Sequence, residues 1–593
     1  MREFAFSDNV LTVRHLSLPA LTAALTFAGG CHAPELAIFQ EQQKMFASDG
    51  SDSSGDLETT TSDVEPTSTG AVGSESAGLS ATDAADTTGA APPSDTATDT
   101  GDATNTGDAT DTGDATGDDP PLIDPDKPKI VAVELPANVY AAGPVPLTVQ
   151  AMHTGAMRVT LDGADAGALI AVGDGMFTGS LPVHGAIDNG PHAIEVIATL
   201  GPYEDRHPGA YHVSTPAPGT EAWSKPGPAA SRTNRVAVTP AGDLIEVGQT
   251  VIGGAPRPTI RKRSGVTGAE LWPEKTIILD TREGAVVDVA VLPDGRMWVA
   301  MNVNAPNKDP QPRIALLDAD GHAVGIEAQG TAGRVVRALA ADASGGCFAV
   351  GVAGVMGDWD IAYWRITAEG VPTLGDTFDY IPNPIKNEPH SFVDIANDLV
   401  IDGDVAWIAG MSSGQHDAGD APKYLRGILV PLNLHTGNPA GSVIVASPLA
   451  GWPQSAFFGA ALDPEGVLVT GYGCDEACST YRIETSLYSV NGIRTWFHHE
   501  GNNNGLAYGS DVARDSQGRA LVAGAVTQNG KLRGYVFGRT IGLLGPVLFD
   551  HWYPGVGPSE VLGIARDSFD RIFPAGYMTV NGETQARITL IHG

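Results

Sequence analysis

The C-terminal two thirds of the chain repeats one hydrophobic pattern. In its clearest copy, residues 509–524, a short apolar stretch runs into an Asp/Gly turn and a second apolar stretch ends on glycine. Two apolar stretches joined by a tight polar turn predict a pair of neighbouring β-strands. The turns of successive copies lie 50 to 63 residues apart, at Gly242, Gly295, Gly345, Gly403, Gly466, Gly518 and Asp570. A period of this length indicates a repeat architecture.

From Thr220 onward each copy contains three or four predicted strands. In the second copy the apolar stretches Val286–Leu292, Met297–Met301 and Arg313–Asp318 are followed by a turn and a fourth stretch. Four-stranded units of about this length are typical of the blades of a β-propeller. We therefore predict an all-β fold with a β-propeller over residues 217–593.

The two ends of the repeat region are predicted to join. Gly219–Trp223 shares a Gly-x-x-x-Trp spacing with the fourth strands at Gly268–Trp272 and Gly492–Trp496, yet it precedes the first full unit. The last unit ends after its third strand, Ala586–Ile591. We expect the early segment to supply the missing fourth strand, which would remove an exposed sheet edge. This pairing favours seven blades, with six or eight as alternatives because the fourth unit is irregular.

Residues 128–216 show a different, shorter strand pattern. Seven apolar segments lie between turns such as Asp162-Gly163 and Asp174-Gly175. The segments are 130–135, 145–151, 157–161, 168–172, 176–181, 192–200 and 210–213. Seven short strands in a domain of this length predict an Ig-like β-sandwich, with a spacer as its expected role.

Residues 1–31 predict a signal segment. Their apolar run, Leu16–Gly30, is shorter than the ~20 residues that span a bilayer and ends at Cys31. The small residues before the cysteine resemble the lipobox of bacterial lipoproteins, although Ala28 stands where Leu is usual. The resemblance implies that Cys31 carries acyl chains that anchor the protein at the outer membrane or cell surface. An ordinary cleaved signal peptide is the alternative.

Residues 32–127 are predicted to be a disordered tether. The chain has 70 Asp and Glu against 35 Lys and Arg, and residues 45–126 hold 19 of the acidic side chains without one basic residue. A segment of Ser, Thr, Asp, Gly and Ala buries too little apolar surface to offset the entropy lost on ordering. A calcium-binding array is the alternative, but the spacing of its Asp residues does not fit. The acidic balance argues against nucleic acid as a partner.

The repeats resemble bacterial propeller repeats of two kinds. Thr267–Trp272 resembles the tryptophan-docking motif of quinoprotein-like propellers, and Asp358–Trp364 with Trp407–Gly410 resembles the delta-60 repeat. The resemblance covers about 370 residues and implies a fold rather than an activity. The adjacent-cysteine pair of pyrroloquinoline quinone enzymes is absent from the sequence. We therefore expect no cofactor.

Three motifs in the sequence have residue types that could carry chemistry. Residues 410–414 fit the spacing of a nucleophile elbow, which belongs on a strand-to-helix turn, whereas here the motif ends a strand. His498-His499-Glu500 could touch a metal, although a polar loop is the simpler interpretation. Asp288 and Asp511 share one repeat position, where hydrogen bonding within their own blades is favoured over lining an axial channel. No catalytic residue and no metal site are therefore predicted.

The cysteines give one further prediction. Cys474 and Cys478 lie close together in a loop, and in an exported protein such a pair predicts a local disulfide. Zinc is the alternative, but it needs two further ligands. Cys347 is expected to be a buried apolar residue.

Long loops between the second and third strands, and between blades, are the predicted binding surface, because variable loops on a rigid scaffold commonly carry function. The candidate ligand-binding residues, chosen by position and residue type, are Trp359, His390, His416, Asp417 and Trp452. The sequence thus predicts a monomeric, non-catalytic, lipid-anchored binding or scaffold protein whose partner is an unknown protein or glycan. The alternative is a secreted propeller enzyme, either a sugar hydrolase or lyase or a quinoprotein-type oxidoreductase.

Overall fold

The computed structural model describes residues 127–593 except 141, 185–187, 275, 306–308, 332, 356–357, 381–392, 414–424, 448–450, 502–504, 543–545 and 554–556. The secondary-structure elements named in this part of the chain are all β-strands. Within it, no helix has the length and apolar character needed to cross a membrane. The expectations for the signal segment, for lipidation of Cys31 and for the tether concern residues outside the described part.

Residues 129–213 form two antiparallel-rich sheets. The four-stranded sheet has the order β1-β3-β7-β6 and the five-stranded sheet the order β2-β9-β8-β4-β5. The strands are β1 Lys129–Glu134, β2 Asn138–Val139, β3 Gly143–Met152, β4 Ala156–Leu161, β5 Ala164–Ala168, β6 Ile170–Gly173, β7 Met176–Val183, β8 Gly190–Leu200 and β9 Tyr203–Val213.

Alternating burial explains why these two sheets pack face to face. Val145, Leu147 and Val149 of β3 are buried, whereas the residues between them are exposed or half-buried. Because successive side chains of a strand point to opposite faces, one face of β3 belongs to the core. Buried residues of both sheets, including Val159 and Val196, form one hydrophobic cluster. The sequence did not predict β2, which has two residues, or β5, whose small side chains do not alternate with apolar ones.

Residues 221–593 form seven four-stranded sheets. Sheets 1 to 6 follow the chain in order as β11–β14, β15–β18, β19–β22, β23–β26, β27–β30 and β31–β34, and sheet 7 combines β35–β37 with β10. The strands are β10 Glu221–Ala229, β11 Ser231–Val238, β12 Leu244–Ile252, β13 Ala255–Arg263, β14 Ile277–Ile278, β15 Gly284–Val291, β16 Met297–Asn304, β17 Pro310–Leu317, β18 Ala323–Gln329, β19 Val335–Ala341, β20 Cys347–Val355, β21 Asp358–Ile366, β22 Pro372–Phe378, β23 Asp394–Asp402, β24 Val405–Ser413, β25 Leu425–Asn433, β26 Ile444–Val445, β27 Gln454–Asp463, β28 Gly466–Cys474, β29 Tyr481–Tyr488, β30 Arg494–Glu500, β31 Ala507–Arg514, β32 Arg519–Gln528, β33 Lys531–Thr540, β34 Val547–Trp552, β35 Ser559–Arg566, β36 Ile572–Val580 and β37 Glu583–Ile591.

The first strands of the seven sheets form a closed ring. Each of β11, β15, β19, β23, β27, β31 and β35 contacts the corresponding strand of the next sheet, and β35 contacts β11. Seven radial sheets around a common axis are the arrangement of a β-propeller. The second strands are buried on both faces between neighbouring sheets, as in β28, where every residue is buried. This explains why they read as continuous apolar runs rather than as alternating strands.

The ring is closed by a strand from its beginning. β10 pairs antiparallel with β37, so that Trp223 lies opposite Leu590 and Lys225 opposite Ile588. This is the pairing predicted from the Gly-x-x-x-Trp spacing. It gives the last three strands of the chain a fourth partner and leaves β37 without an open edge.

Trp223 of β10 and Trp272, which precedes β14, lie over turns of the next sheet. The expectation that Gly268–Trp272 forms a fourth strand is therefore wrong, because that strand is Ile277–Ile278. The indole nitrogen of Trp223 donates a hydrogen bond to the carbonyl of Val266, 2.9 Å away. A Cβ atom on Gly268 would lie 2.9 Å from the ring of Trp223, and one on Gly321 would lie 2.6 Å from the ring of Trp272. Both glycines have a positive φ, which most other residues avoid. The Gly-x-x-x-Trp spacing therefore supplies both halves of a contact between sheets.

Candidate functional site

All seven inner strands of the ring carry a β-bulge at the same place. The pairing with the second strand skips one residue in each strand, for example Asn234 between Thr233 and Arg235. A bulge bends the strand and re-aims a side chain. The seven skipped residues, called here the bulge ring, are Asn234, Val287, Arg337, Asn397, Phe458, Ser510 and Leu562.

Arg235, the residue after the bulge of sheet 1, lies across the axis of the ring. Its guanidinium group is 2.6 Å from Asp511, 3.3 Å from Asp398 and 3.9 Å from Asp288. These carboxylates come from sheets 6, 4 and 2, so one side chain can reach all of them only from the centre. Arg235, Asp288, Asp398 and Asp511, called here the axial cluster, therefore close the channel at this depth.

Each aspartate of the axial cluster also ties its sheet to the next. One carboxylate oxygen accepts the N–H of the following residue, and the other accepts an N–H of the next sheet's inner strand. The inter-sheet bonds run from Leu339 to Asp288, from Ala460 to Asp398 and from Ile564 to Asp511 at 2.7, 2.9 and 2.9 Å. The expectation that Asp288 and Asp511 bond within their own blades is thus incomplete, because they also bond the neighbouring sheet and face the axis.

Small residues let the sheets approach at these contacts. The positions equivalent to Arg235 in sheets 3, 5 and 7 are Ala338, Gly459 and Gly563. A Cβ on Gly459 would lie 2.6 Å from the Cα of Asp511, and one on Gly563 would lie 3.1 Å from the Cα of Arg235. Around sheets 2 to 7, aspartate and a small residue therefore alternate.

Burial and charge act against each other in the axial cluster. Burial raises the pKa of Asp288 to about 6 and that of Asp398 to about 7, although Arg235 lowers both. Burial also raises the pKa of Asp511. For Arg235, burial lowers the pKa, but the three carboxylates outweigh this and raise it above the usual value. Arg235 is therefore charged at every physiological pH, and it is the cation that the carboxylates share.

A cavity of about 120 Å³ lies directly beside the axial cluster. All seven residues of the bulge ring line it, together with Arg235 on one side and Arg232, Tyr508 and Glu560 on the other. These last three residues stand nearer the beginnings of the inner strands than the bulges do. The β12–β13 turn lies at the same end, because Ser231 pairs with Thr250 near that turn. This end of the ring is called the loop end.

The mouth of the cavity holds a carboxylate bound by two tyrosines. Glu560 accepts hydrogen bonds from the hydroxyl of Tyr508, at 2.7 Å, and from the hydroxyl of Tyr577. The guanidinium of Arg232 lies 4.7 Å from the centre of the Tyr577 ring. Burial, followed by the negative charge of Glu560, raises the pKa of Tyr508 well above its usual value. Tyr508 is therefore a hydrogen-bond donor at neutral pH and not a base.

Deeper in the cavity, the polar residues of the bulge ring bond neighbouring sheets. Asn234 donates to the carbonyl of Val286 at 2.7 Å, and Asn397 donates to the carbonyl of Phe457 at 2.8 Å. Arg337 donates to the side-chain oxygen of Asn397 at 2.8 Å. Arg337 retains accessible surface toward the cavity, yet it lies deep in the ring, and burial lowers its pKa to about 10. The cavity wall is therefore polar, charged and held in fixed positions.

Two of the predicted candidates, Trp359 and Trp452, do not line this cavity. Trp359 is half-buried, packs beside a core cluster of the later sheets and bridges to Val393. Trp452 is half-buried under the guanidinium of Arg482, 3.9 Å from the ring centre. His390, His416 and Asp417 fall outside the described residues, so the structure neither joins nor separates them.

The remaining motifs have structural surroundings. Cys474 and Cys478 are joined in a disulfide, and Cys347 is buried and unpaired. Residues 498–500 belong to β30, so the polar loop favoured from the sequence is wrong. In this strand, Nε2 of His498 lies 3.1 Å from a carboxylate oxygen of Glu500 and 3.1 Å from a guanidinium nitrogen of Arg539. Among the described residues, no group of three His, Cys, Asp or Glu is arranged to hold a metal ion.

Sequence reasoning missed the axial cluster, although one signal was present. Aligning the first strands on their bulges places Arg235, Asp288, Asp398 and Asp511 at one position. When the strands are aligned on their turn glycines instead, Asp398 does not match Asp288 and Asp511. The reason is that Gly403 follows Asp398 after a shorter stretch than in the other two sheets.

The fold and the site together define a β-propeller protein in which one arginine on the axis pairs with aspartates of three sheets. No known family model matches the chain. A search of curated proteins also gave no match.

Solved structures similar to this chain include several propellers. The periplasmic gluconolactonase of Pseudomonas aeruginosa is 11% identical, with 59% of this chain and 95% of that chain covered and a TM-score of 0.39. A polysaccharide lyase described as an ulvan lyase is 11% identical, with 61% and 95% covered and a TM-score of 0.42. The propeller domain of the Trilobed protease of Pyrococcus furiosus is 10% identical, with 63% and 94% covered and a TM-score of 0.35. These values are too low to transfer an activity, a substrate or a partner.

Proposed function

We propose that this chain is a non-catalytic binding or scaffold protein displayed at the outer membrane or cell surface. Cys31 carries the lipid, residues 32–127 are a flexible tether, residues 128–216 are an Ig-like spacer, and residues 217–593 are a seven-bladed propeller. The closed ring of seven four-stranded sheets supports the blade count, and the two packed sheets before it support the spacer. The partner is a protein or a glycan that binds at the loop end of the propeller.

One observation favours binding over catalysis at the mouth of the cavity. A general base works best when its pKa lies near the working pH. Glu560 already accepts two tyrosine hydroxyls, and the pKa of Tyr508 is far above neutral. This arrangement supplies fixed donors and acceptors for a ligand, and Tyr508 is not prepared to remove a proton.

A propeller enzyme is the second candidate, and the same residues are the reason to test it. Tyr508, Glu560 and Arg232 would be the acid, the carboxylate and the cation of a sugar hydrolase or lyase. If the protein only binds its ligand, the variants Tyr508→Phe and Glu560→Gln should still bind it measurably. Neither variant should then differ from the natural protein in enzymatic turnover. A glycan cleaved by the natural protein and left intact by Glu560→Gln would overturn the non-catalytic proposal.

Binding at the loop end is tested on the full chain with arrays of glycans and surface proteins. Alanine at Trp359, His390, His416, Asp417 or Trp452 should weaken capture of a partner by at least tenfold at one or more positions. The control is Arg296→Ala, an exposed residue paired with Asp294 at 2.6 Å in the turn at the opposite end of sheet 2. Equal capture by every variant would argue against a loop-end partner.

Lipid anchoring is tested separately by phase partition. The natural protein should enter the detergent phase, and Cys31→Ser should move it to the aqueous phase because the acyl chains have no attachment site. Cys347→Ser is the matched control, since Cys347 is buried in the propeller. Retention of Cys31→Ser in the detergent phase would refute the lipid assignment.

A further inference from the structure

We propose that the axial cavity binds one neutral sugar residue at the end of a glycan chain. This deepens the proposed function, since it rests on the loop end being a binding face and names the group that enters it. The inference comes from the size, the chemistry, the charge balance and the closed floor of the cavity.

The cavity has room for a single ring. Its volume of about 120 Å³ equals that of about four water molecules, at roughly 30 Å³ of liquid per water. A sugar ring with its hydroxyl groups can take the place of such a water cluster. Pockets for drug-sized ligands are several times larger, roughly 300–1,000 Å³. One sugar residue fits this scale, whereas an oligosaccharide does not.

The cavity wall offers hydrogen-bond donors and acceptors side by side. Arg232 and Arg337 supply planar groups of N–H donors, and Glu560 and the side-chain oxygen of Asn234 supply acceptors. Each sugar hydroxyl donates one hydrogen bond and accepts others, so it needs both kinds of neighbour.

An apolar wall stands beside these polar groups. Phe458 and Tyr508 line the cavity with their ring centres 6.1 Å apart and their planes nearly perpendicular. Aromatic side chains present broad apolar faces, which suit the C–H face of a sugar ring. The combination is better matched to a hydroxylated ring than to an ion or to an aliphatic chain.

The charges in and behind the wall nearly cancel. Three arginines, Arg232, Arg235 and Arg337, face four carboxylates, which are Glu560 and the three aspartates of the axial cluster. Of these charges, the three arginines and Glu560 line the cavity, whereas the aspartates lie behind Arg235 and offset its charge. An entering anion would therefore meet Glu560, and an entering cation would meet Arg232 and Arg337. Ionic ligands would therefore gain little over water, whereas a neutral polar ligand meets no such opposition.

The closed floor decides which part of a glycan can enter. Arg235 crosses the axis on the side of the cavity away from the loop end, so a polymer cannot thread through the ring. Only a chain end can reach the bulge ring, while the rest of the glycan stays at the loop end. We therefore assign the cavity to a terminal residue.

The experiment is ligand-observed NMR and calorimetry on the full chain. The neutral probes are the methyl glycosides of glucose, galactose, mannose and N-acetylglucosamine. The charged probes are acetate, phosphate and glucuronate. At least one neutral glycoside should bind saturably with a Kd of roughly 0.1–10 mM, and the charged probes should bind at least tenfold more weakly.

Two variants locate the binding. Val287→Phe fills the cavity without changing its charge, and Arg337→Met removes one set of donors; each should weaken glycoside binding at least tenfold. Arg296→Met is the control and should bind like the natural protein. Preference for the charged probes, no binding by any glycoside, or glycoside binding unchanged in Val287→Phe would overturn the inference. If Val287→Phe still captures a partner but the loop variants do not, the proposed function would be supported and the sugar site would be refuted.

Discussion

Removing the positive charge of Arg235 should weaken the propeller strongly. In Arg235→Met the three aspartates of the axial cluster lose the cation that lies within 4 Å of each of them. Breaking a buried ion pair on one side costs about 3–5 kcal/mol, because a charge remains in a poorly solvated place. With an unfolding entropy of ~2.1 cal/mol/K per residue over residues 217–593, this corresponds to a fall in Tm of roughly 4–6 °C.

The cost should depend on pH in a defined direction. Without Arg235 the folded-state pKa values of Asp288 and Asp398 must rise above their present values of about 6 and about 7. Their unfolded values stay near ~3.9, so the folded variant binds protons that the unfolded chain releases. The penalty is therefore larger at pH 8 than at pH 5, where protonated aspartates need no counter-charge.

Calorimetry of natural and variant protein at pH 5 and pH 8 checks both statements. The control is Arg296→Met, which removes an exposed pair with Asp294 and should change stability by no more than about 1 kcal/mol. A fall in Tm under 1 °C at pH 8, or an equal fall at both pH values, would refute the role given to Arg235.

Three further outcomes follow from the same contacts. Gly459→Ala should lower stability by about 1–3 kcal/mol in urea unfolding, because its Cβ would meet the Cα of Asp511 at 2.6 Å; an unchanged midpoint would show that the sheets can separate freely. Trp223→Ala should cost roughly 2–3 kcal/mol and expose the seam between β10 and β37 to faster hydrogen exchange, whereas protection equal to that of the natural protein would contradict the docking. In the natural protein, the raised pKa values of Asp288 and Asp398 contribute stability at low pH that is lost as pH rises from about 4 through 7, and a Tm that rises steadily over this range would count against the assignment.

Local patterns were enough to predict the repeating strands and their closure. The Asp/Gly turns mark the joins between the first and second strands. Gly219–Trp223 repeats the spacing of Gly268–Trp272, and this predicted its pairing with the last strand of the chain. Such signals survive in the sequence because turn geometry and docking each require particular residues at short range. The same reasoning failed for β2 and β5 of the N-terminal sheets, where pairing is imposed by neighbouring strands.

The candidate site depended on features that leave little trace in a linear pattern. A bulge adds one residue to a strand without interrupting its apolar character, so Asn234 and Arg337 read as ordinary strand positions. The ion pair between Arg235 and Asp511 joins residues far apart in the chain. Only closure of the ring sets such residues face to face. Trp359, which the sequence placed in a loop, lies instead in β21.

An odd number of sheets constrains which residues can meet at the centre of the ring. Two kinds of residue can alternate without a fault only around an even-numbered circle. Here aspartate and a small residue take turns through six sheets, and Arg235 occupies the odd place, between Gly563 and Asp288. Deleting any one of sheets 3 to 6 would bring two aspartates or two small residues together. The residues at the axis are therefore matched to the order of the sheets that carry them.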